Sequence, residues 1–513
     1  MRICLREYLF FVEKVFVISS LLVLMACDHD SKIDNPVISS ELVMRNFGLK
    51  IGDKIYSPVD TIGTVYIICV PQDEKLAQVT ALFDHDDGIE VCVGAKKQIS
   101  GITQNDFSDI DKGITYTISD NEGHSKDFIV KVINSNLPIV FISAPNSQPI
   151  VDKVNWIGNC VLKIYDTSEN TCYHNTASIK GRGNYTWNYP KKPYALKLNT
   201  KAGLLGLSKH KRFCLLAGWM GYLGNFYMGE VARRCVGRPW APSGRYVELV
   251  LNGKFQGMYY LMEQIKVDKD RVNITEIKGS DLEGPELTGG YLLELDEVYD
   301  EEYKFKSDIF NMPVMLRSPD ENVPKEQLNY IKSYINNMER ELAKIGNEKS
   351  NYQEYLDVGS FADFWMASEI IYNYEIYKPR SFYMYKGRDG VDGPGTVCKM
   401  KAGPFWDQER IFVDHWWNNK DAHYFAALMR DSLYRQTLKN NWPGFRANLE
   451  GKGNFESLLE SINKVYKKIA FSAQRDSLFW GNNNTSLFRD IKTLNDGFVG
   501  KLDWVESFIN TLE

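Results

Sequence analysis

The chain has 513 residues, with 61 Lys and Arg against 66 Asp and Glu and a formal charge of −5. Its 44% hydrophobic and 25% charged composition is that of a folded protein and excludes a disordered, collagen-like or multispanning membrane chain. The slight acidity argues against a bulk electrostatic binder of nucleic acid, and the length predicts a multidomain protein.

Residues 1–26 read as a signal peptide. Arg2, Arg6 and Lys14 precede an apolar run from Val15 to Ala26, too short to span a bilayer comfortably and suited to the core of an export signal. The run ends Leu24-Met25-Ala26-Cys27, which resembles a bacterial lipobox. That resemblance implies acylation of Cys27, a membrane partner and an exported protein lipid-anchored to the cell envelope, at the outer membrane and facing the periplasm or the surface. Residues 27–41 then form a polar tether. The seven other cysteines of the mature chain, Cys69, Cys92, Cys160, Cys172, Cys214, Cys235 and Cys398, contain no C-x-x-C pair. The seven histidines form no H-x-x-x-H cluster, which disfavours a zinc hydrolase. Cys69 and Cys92 lie in strand-like runs and read as buried thiols; Cys160 and Cys172 flank a candidate hairpin, with a disulfide between them left open.

From 42 to 134 the pattern is β. Thr64–Val70, Ile89–Val93, Ile114–Ile118 and Phe128–Ile133 are short runs rich in β-branched residues, punctuated by Pro71, Gly94, Gly113 and Asp120-Asn-Glu-Gly123. This predicts a small all-β sandwich, and it resembles the immunoglobulin-like modules that follow the lipid anchor of exported bacterial proteins. Its expected role is that of a spacer or docking module.

Asn134 to Pro138 reads as a boundary, and 138–513 as a second domain. Strands are predicted at Ile139–Ile142, Cys160–Tyr165, Tyr194–Leu198, Tyr246–Leu251 and Gly257–Met262, with a hairpin at Asn252-Gly253. Apolar spacing of three and four predicts helices at Gln327–Ile345, Gly359–Ile376, His423–Ala447 and Asn454–Phe479. A β-rich half followed by a helical half suggests two lobes with a cleft between them.

Three segments carry candidate chemistry. Lys180-Gly-Arg-Gly-Asn-Tyr-Thr-Trp187 is followed by Pro190-Lys-Lys-Pro-Tyr-Ala-Leu-Lys197. Glycines let backbone N–H groups approach anionic oxygens, and Arg or Lys neutralises them. There is no Walker A loop. Asn373-Tyr-Glu375 ends a predicted helix, and Lys399-Met-Lys-Ala-Gly-Pro-Phe-Trp-Asp407 places a carboxylate at an element end, where it can ligate a hard cation. An acidic run of Glu294, Asp296, Glu297, Asp300, Glu301 and Glu302 reads as a solvated loop, and Trp416-Trp417 as packing or a sugar platform.

These motifs in this order, with N-G-K-F-Q-G-M-Y-Y-L-M-E-Q-I and G-G-Y-L-L-E-L-D between them, resemble the CotH family of atypical protein kinases related to spore-coat protein H. The resemblance spans 138–513. It implies an α+β two-lobed kinase-like domain, ATP and Mg²⁺ as cofactors, and phosphoryl transfer to Ser or Thr hydroxyls of a protein acceptor. On it, Arg182, Gly183 and Asn184 form a phosphate-side loop and Lys191 or Lys192 is the ATP lysine. Glu263 lies near the adenine, Asp407 binds the metal, and Asn373 with Glu375 forms the catalytic turn. Three positions depart from the family pattern: Glu375 stands where an aspartate is usual, Gln408-Glu409 follows Trp-Asp, and Gly224 replaces an arginine. They leave a catalytically impaired pseudokinase as one alternative, and a glycan- or protein-binding surface lipoprotein as another.

Overall fold

The computed structural model describes residues 42–166, 170–373, 375–393, 395, 397–407, 419–482 and 487–513. The signal peptide, Cys27, the tether, Gln408, Glu409, Trp416 and Trp417 lie outside the described residues.

Residues 45–134 carry β1 (Arg45–Ile51), β2 (Lys54–Tyr56), β3 (Asp60–Ile62), β4 (Val65–Val70), β5 (Val79–Asp84), β6 (Glu90–Val93), β7 (Lys96–Lys97), β8 (Gln104–Asn105), β9 (Ile114–Ser119) and β10 (Ser125–Asn134). They form a sheet ordered β2-β1-β5-β8 and a second ordered β3-β4-β10-β9-β6-β7. Alternating residues such as Val79, Ala81 and Phe83 on β5 and Val130 and Val132 on β10 fill the core between the sheets. The β4 sequence Val-Tyr-Ile-Ile-Cys-Val does not alternate, because both of its faces are covered. Ile68 and Val70 face the sandwich core, while Ile67 and Cys69, with Ile133 of β10, form a separate cluster with Ile139, Phe141, Val250 and Phe255 of the following domain. The module is therefore joined to its neighbour through a shared apolar seam.

That neighbour begins with a closed barrel of β11 (Ile139–Ser143), β12 (Ile157–Asp166), β13 (Asn170–Gly181), β14 (Tyr194–Ala202), β15 (His210–Leu216), β16 (Gly244–Leu251) and β17 (Lys254–Glu263). The order is β11-β12-β13-β14-β15-β17-β16, and parallel pairing of β11 with β16 closes it. Leu162, Ile179, Leu196, Phe213, Leu215, Leu249 and Leu261 fill the interior. The β16–β17 turn has φ of 50° at Asn252 and 72° at Gly253, the left-handed pair that an Asn-Gly hairpin supplies.

The outer face of the barrel packs on helices. Cys214, Leu216, Met258, Tyr260 and Met262 join one large core with α1 (Gly224–Arg233), α3 (Val358–Ile371) and the other helices, α2 (Lys325–Lys344), α4 (His423–Leu428), α5 (Ser432–Glu450), α6 (Leu458–Trp480) and α7 (Leu487–Thr511). A five-stranded sheet lies in the same body: β18 (Tyr291–Leu295), β19 (Lys304–Lys306), β20 (Pro313–Ser318), β21 (Phe382–Lys386) and β22 (Lys401–Ala402), ordered β19-β20-β18-β21-β22. The chain is thus multidomain and β-rich with a helical layer. The predicted helix Gly359–Ile376 stops at Ile371, where Tyr372 turns left-handed at φ 64°. The predicted helix His423–Ala447 is two helices, because Asp431 caps α5 by accepting from Tyr434 N at 2.9 Å. All seven described cysteines, Cys160 and Cys172 among them, are free thiols.

One carboxylate holds α6 to the barrel. Asp476 accepts from Lys191 Nζ at 2.7 and 2.8 Å, from Tyr222 OH at 2.9 Å and from Met258 N at 2.9 Å. Gly257 makes room for it: a Cβ there would lie 1.9 Å from Asp476 Oδ1. Beside it Arg475 donates to Asn134 O at 2.7 Å and to Glu248 Oε1 at 2.6 Å, tying α6 to the end of the sandwich as well. Removing one partner of a buried pair strands the other charge. Asp476→Ala is therefore expected to cost roughly 3–5 kcal/mol in denaturant unfolding, and Asp476→Ala with Lys191→Met to recover most of it. A loss under about 1 kcal/mol for the single variant would show that the ion pair does not secure α6.

Candidate functional site

β13 ends at Gly181, and the next residues close a tight loop. A Cβ on Gly181 would lie 2.5 Å from the Trp187 ring, and one on Gly183, at φ 80°, would lie 2.2 Å from Thr186 Oγ1. Two glycines are needed for Thr186 and Trp187 to fold back on the loop. Arg182 between them reaches Asp407, with its Nη2 3.9 Å from Oδ1, and its guanidinium lies 5.4 Å from the centre of the Trp406 ring. Asp407 follows a buried anchor, Phe405, which stacks on Phe364 of α3 at 4.2 Å. Asp407 itself is left-handed at φ 58°, a strained conformation for a non-glycine residue.

A second acidic group lies within electrostatic range of Asp407. Glu294 on β18 lies directly across from Tyr383 on β21. Arg317 on β20 places Nε 3.4 Å from Glu294 Oε2 and also pairs with Glu301. Asp296, two residues on, accepts from Ser381 N at 3.0 Å and Val298 N at 2.8 Å. Burial pushes Glu294 up to about 7; Arg317 opposes this, and the charges of Asp296 and Asp407 add to it. The Asp407 side chain is 42% exposed; partial desolvation raises it, against the opposing Arg182, with Asp296 pushing in the same direction. Carboxyls raised by burial and by one another are what a site built to receive positive charge shows.

Cations continue away from Asp407. Lys180 and Arg212 each lie 5.0 Å from the ring centre of Trp156. Lys266 donates to Asp320 at 2.6 Å, and burial lowers its pKa, with the charges of Arg317 and Arg212 adding to the effect. Lys180, Arg182, Arg212, Lys266 and Arg317 thus connect, through rings, carboxylates or mutual charge, into one basic region next to the acidic pair.

The expected site residues divide. Arg182, Gly183 and Asp407 come together. Asn184 accepts from Lys153 Nζ at 3.2 Å on the exposed side of the loop. Lys192 turns back to donate to Trp187 O at 2.7 Å. Two expected residues are engaged within the protein. Lys191 is 1% exposed with its ammonium on Asp476 and Met258 O, which makes it a tie between α6 and the barrel. Glu263 is 3% exposed, and its two oxygens accept from Ser208 N at 2.8 Å and Ser243 N at 2.9 Å, which holds the barrel end. Glu375 sits in a short 3-10 turn with Arg380 3.9 Å away. Arg380 also pairs with Glu297, and its charge opposes the burial that raises Asp296, which links the turn to the acidic group. Asn373 is buried with its amide N–H on Ser368 O at 2.9 Å. Glu294 and Asp296 belong to the run read as a solvated loop. The available signal was the apolar run Tyr291-Leu-Leu-Glu-Leu295, which places Glu294 inside a buried strand with Asp296 directly after it.

Among the described residues, three ligand atoms within 4.8 Å of one another occur at Asp120, Glu122 and His124 on the sandwich, not at Asp407. Among the described residues, the carboxylates near Asp407 do not gather into such a cluster. Carboxylates so spaced fit Mg²⁺, which keeps waters and takes one or two carboxylates together with substrate phosphates.

These features define a multidomain, β-rich protein with adjoining basic and acidic groups where the barrel loop meets the five-stranded sheet. The model of the CotH kinase protein family matches residues 179–511, and the chain belongs to that family. No curated protein matches it. Among solved structures, a protein from Bacteroides thetaiotaomicron provisionally described as a glycoside hydrolase is similar at 14% identity, covering 58% of this chain and 88% of that one with a TM-score of 0.18. A likeness that low carries no argument about fold or function.

The raised Glu294 gives a pH signature. Its folded value of about 7 exceeds the unfolded 4.5, so its stabilising contribution is present below the unfolded value and lost as pH rises through the folded one. Relative to wild type, Glu294→Gln is expected to gain stability between about pH 4.5 and about pH 7. Denaturant unfolding of both proteins across that range measures the difference, and a pH-independent difference would count against a buried, titrating Glu294.

Proposed function

We propose that the chain is an ATP- and Mg²⁺-dependent phosphotransferase with a two-lobed, kinase-like catalytic domain, acting on Ser or Thr hydroxyls of a protein acceptor. The observation that carries the reading is the 3.9 Å approach of Arg182 to Asp407, which joins the end of the basic region to the raised carboxylates. Phosphoryl transfer needs cations on the phosphates, a carboxylate on the metal and a carboxylate to orient the nucleophile. Arg182, with Lys180, Arg212 and Arg317 behind it, serves the phosphates, and the Gly183 turn lets the backbone approach them. Asp407, supported by Asp296 and Glu294, holds Mg²⁺. Glu375 orients the acceptor hydroxyl, with Arg380 fixing its carboxylate and Asn373 holding the turn. ATP supplies the phosphoryl group and Mg²⁺ the charge that neutralises it. Export and lipid anchoring through Cys27 place this activity on the cell envelope.

Labelling with γ-phosphate-labelled ATP, read beside the thermal shift that ATP induces with and without Mg²⁺, tests the proposal. The intact protein is expected to show a Mg²⁺-dependent shift and label transfer. Asp407→Ala is expected to lose the Mg²⁺-dependent part of the shift and about 100-fold in transfer. Equal labelling of both proteins would remove the metal role of Asp407, and a shift without transfer in wild type would leave a nucleotide-binding protein that does not turn over.

A further inference from the structure

A cavity of about 300 Å³ lies beside the segment that leads into Asp407, between the start of α3, β22, the α1–β16 connection and α5. Trp240, Phe364 and Phe405 wall it, and Asp357, Asp363 and Lys401 also line it. Asp363 is 4% exposed. One of its oxygens accepts from Gly237 N at 2.7 Å and the other from Asn441 Nδ2 at a long 3.4 Å. Two donors leave room on a carboxylate, which offers about four acceptor positions. Asp357 caps α3 by accepting from Ser360 N at 2.8 Å. Its charge adds to the burial that pushes Asp363 up to about 6.

The charge balance of the lining decides the ligand class. Two carboxylates face one ammonium, and that ammonium, Lys401, sits on a half-buried edge strand while Asp363 lies deep. The anion-attracting end of α3 is already served by Asp357, whose carboxylate caps it by accepting from the Ser360 N–H. The remaining walls are aromatic, and the Phe364 and Phe405 rings lie stacked at 4.2 Å with 4° between their planes. Aromatic faces and an undersupplied buried carboxylate together select a cation with an apolar stem.

We propose that this cavity binds a small organic cation, a guanidinium or ammonium on a short hydrocarbon stem, with the charged head on Asp363 and the stem against Trp240 and Phe405. A free amine and a basic side chain of a peptide present the same chemistry. Because Phe405 forms a wall and Asp407 follows two residues later, occupancy presses on the segment that presents Asp407. The proposal does not depend on the phosphotransferase reading, since binding is measured without nucleotide.

Titration of the intact protein with butylguanidinium, followed by calorimetry or ligand-observed NMR, is the test, with the neutral isostere butylurea as control. Butylguanidinium is expected to bind at least ten-fold more tightly than butylurea, and Asp363→Asn to abolish that preference. Lys401→Gln, at a half-buried strand position, is expected to tighten guanidinium binding about two-fold or more, which keeps the test available should Asp363→Asn fail to fold. An acetyl-arginine amide separates the sources: binding equal to butylguanidinium fits a peptide side chain, and weaker binding fits a free amine. Equal affinity for the two isosteres, or no tightening in Lys401→Gln, overturns the proposal.

Discussion

The domain is organised around a buried ion pair. Asp476 on α6 gathers the Lys191 ammonium, the Tyr222 hydroxyl and the Met258 amide, so a helix late in the chain is fixed to the β14, β15–α1 and β17 regions of the barrel at once. Burial lowers the pKa of Lys191, and the Asp476 charge opposes that shift. A bare ammonium at that depth would have to lose its proton or open the structure to water. The pair therefore specifies how α6 lies on the barrel more than it adds net stability. It also fixes the Pro190-Lys-Lys-Pro segment, and through it the loop from which Arg182 extends.

The site depends on that placement, because its two halves come from distant parts of the chain. Arg182 belongs to the loop after β13 of the barrel and Asp407 to the segment after β22, while Glu294 comes from β18 and Asp296 from the residue just past its end. Three non-glycine residues around it, Tyr372, Ser381 and Asp407, hold left-handed backbone conformations at φ 64°, 48° and 58°. Each is costly in isolation and persists because neighbours over-determine it. Ser381 is held by Asp296, and Asp407 by the Phe405–Phe364 stack before it. Tyr372 ends α3 by donating its amide to Glu369 O.

Much of the fold could be read from local pattern, and most of the site could not. β4, β9, β10, β12, β16 and β17 follow from runs of β-branched and aromatic residues bounded by turn residues. β13 escaped, because Asn170-Thr-Cys-Tyr-His-Asn-Thr-Ala-Ser is too polar to resemble a strand; its hairpin partner β12 and the barrel closure supply the pairing. α7 escaped although Leu487, Ile491, Leu494, Phe498, Leu502, Val505 and Ile509 keep helical spacing, since Asn495, Asp496, Gly497 and Gly500 interrupt its outer face. At the site, Arg182 was legible from its flanking glycines. Lys191 and Lys192 were indistinguishable in sequence, and only the path of the chain shows one turned into the core and the other onto its own loop. The acidic run was misread because composition gave six like residues, where the first two are buried at the end of β18 and most of the rest lie in the solvated turn.

The seam between the sandwich and the barrel bears on how the protein can be handled. Ile139, Phe141, Val250 and Phe255 are covered by Ile67, Cys69 and Ile133 from the preceding module. A protein shortened to begin near 138 would wet that greasy surface and lose the Asn134 carbonyl and amide oxygens to which Arg475 donates. Such a fragment would tend to self-associate through the uncovered strand faces. The smallest well-behaved unit for solution work therefore starts close to residue 42, and the leading module acts as the missing outer wall of the barrel.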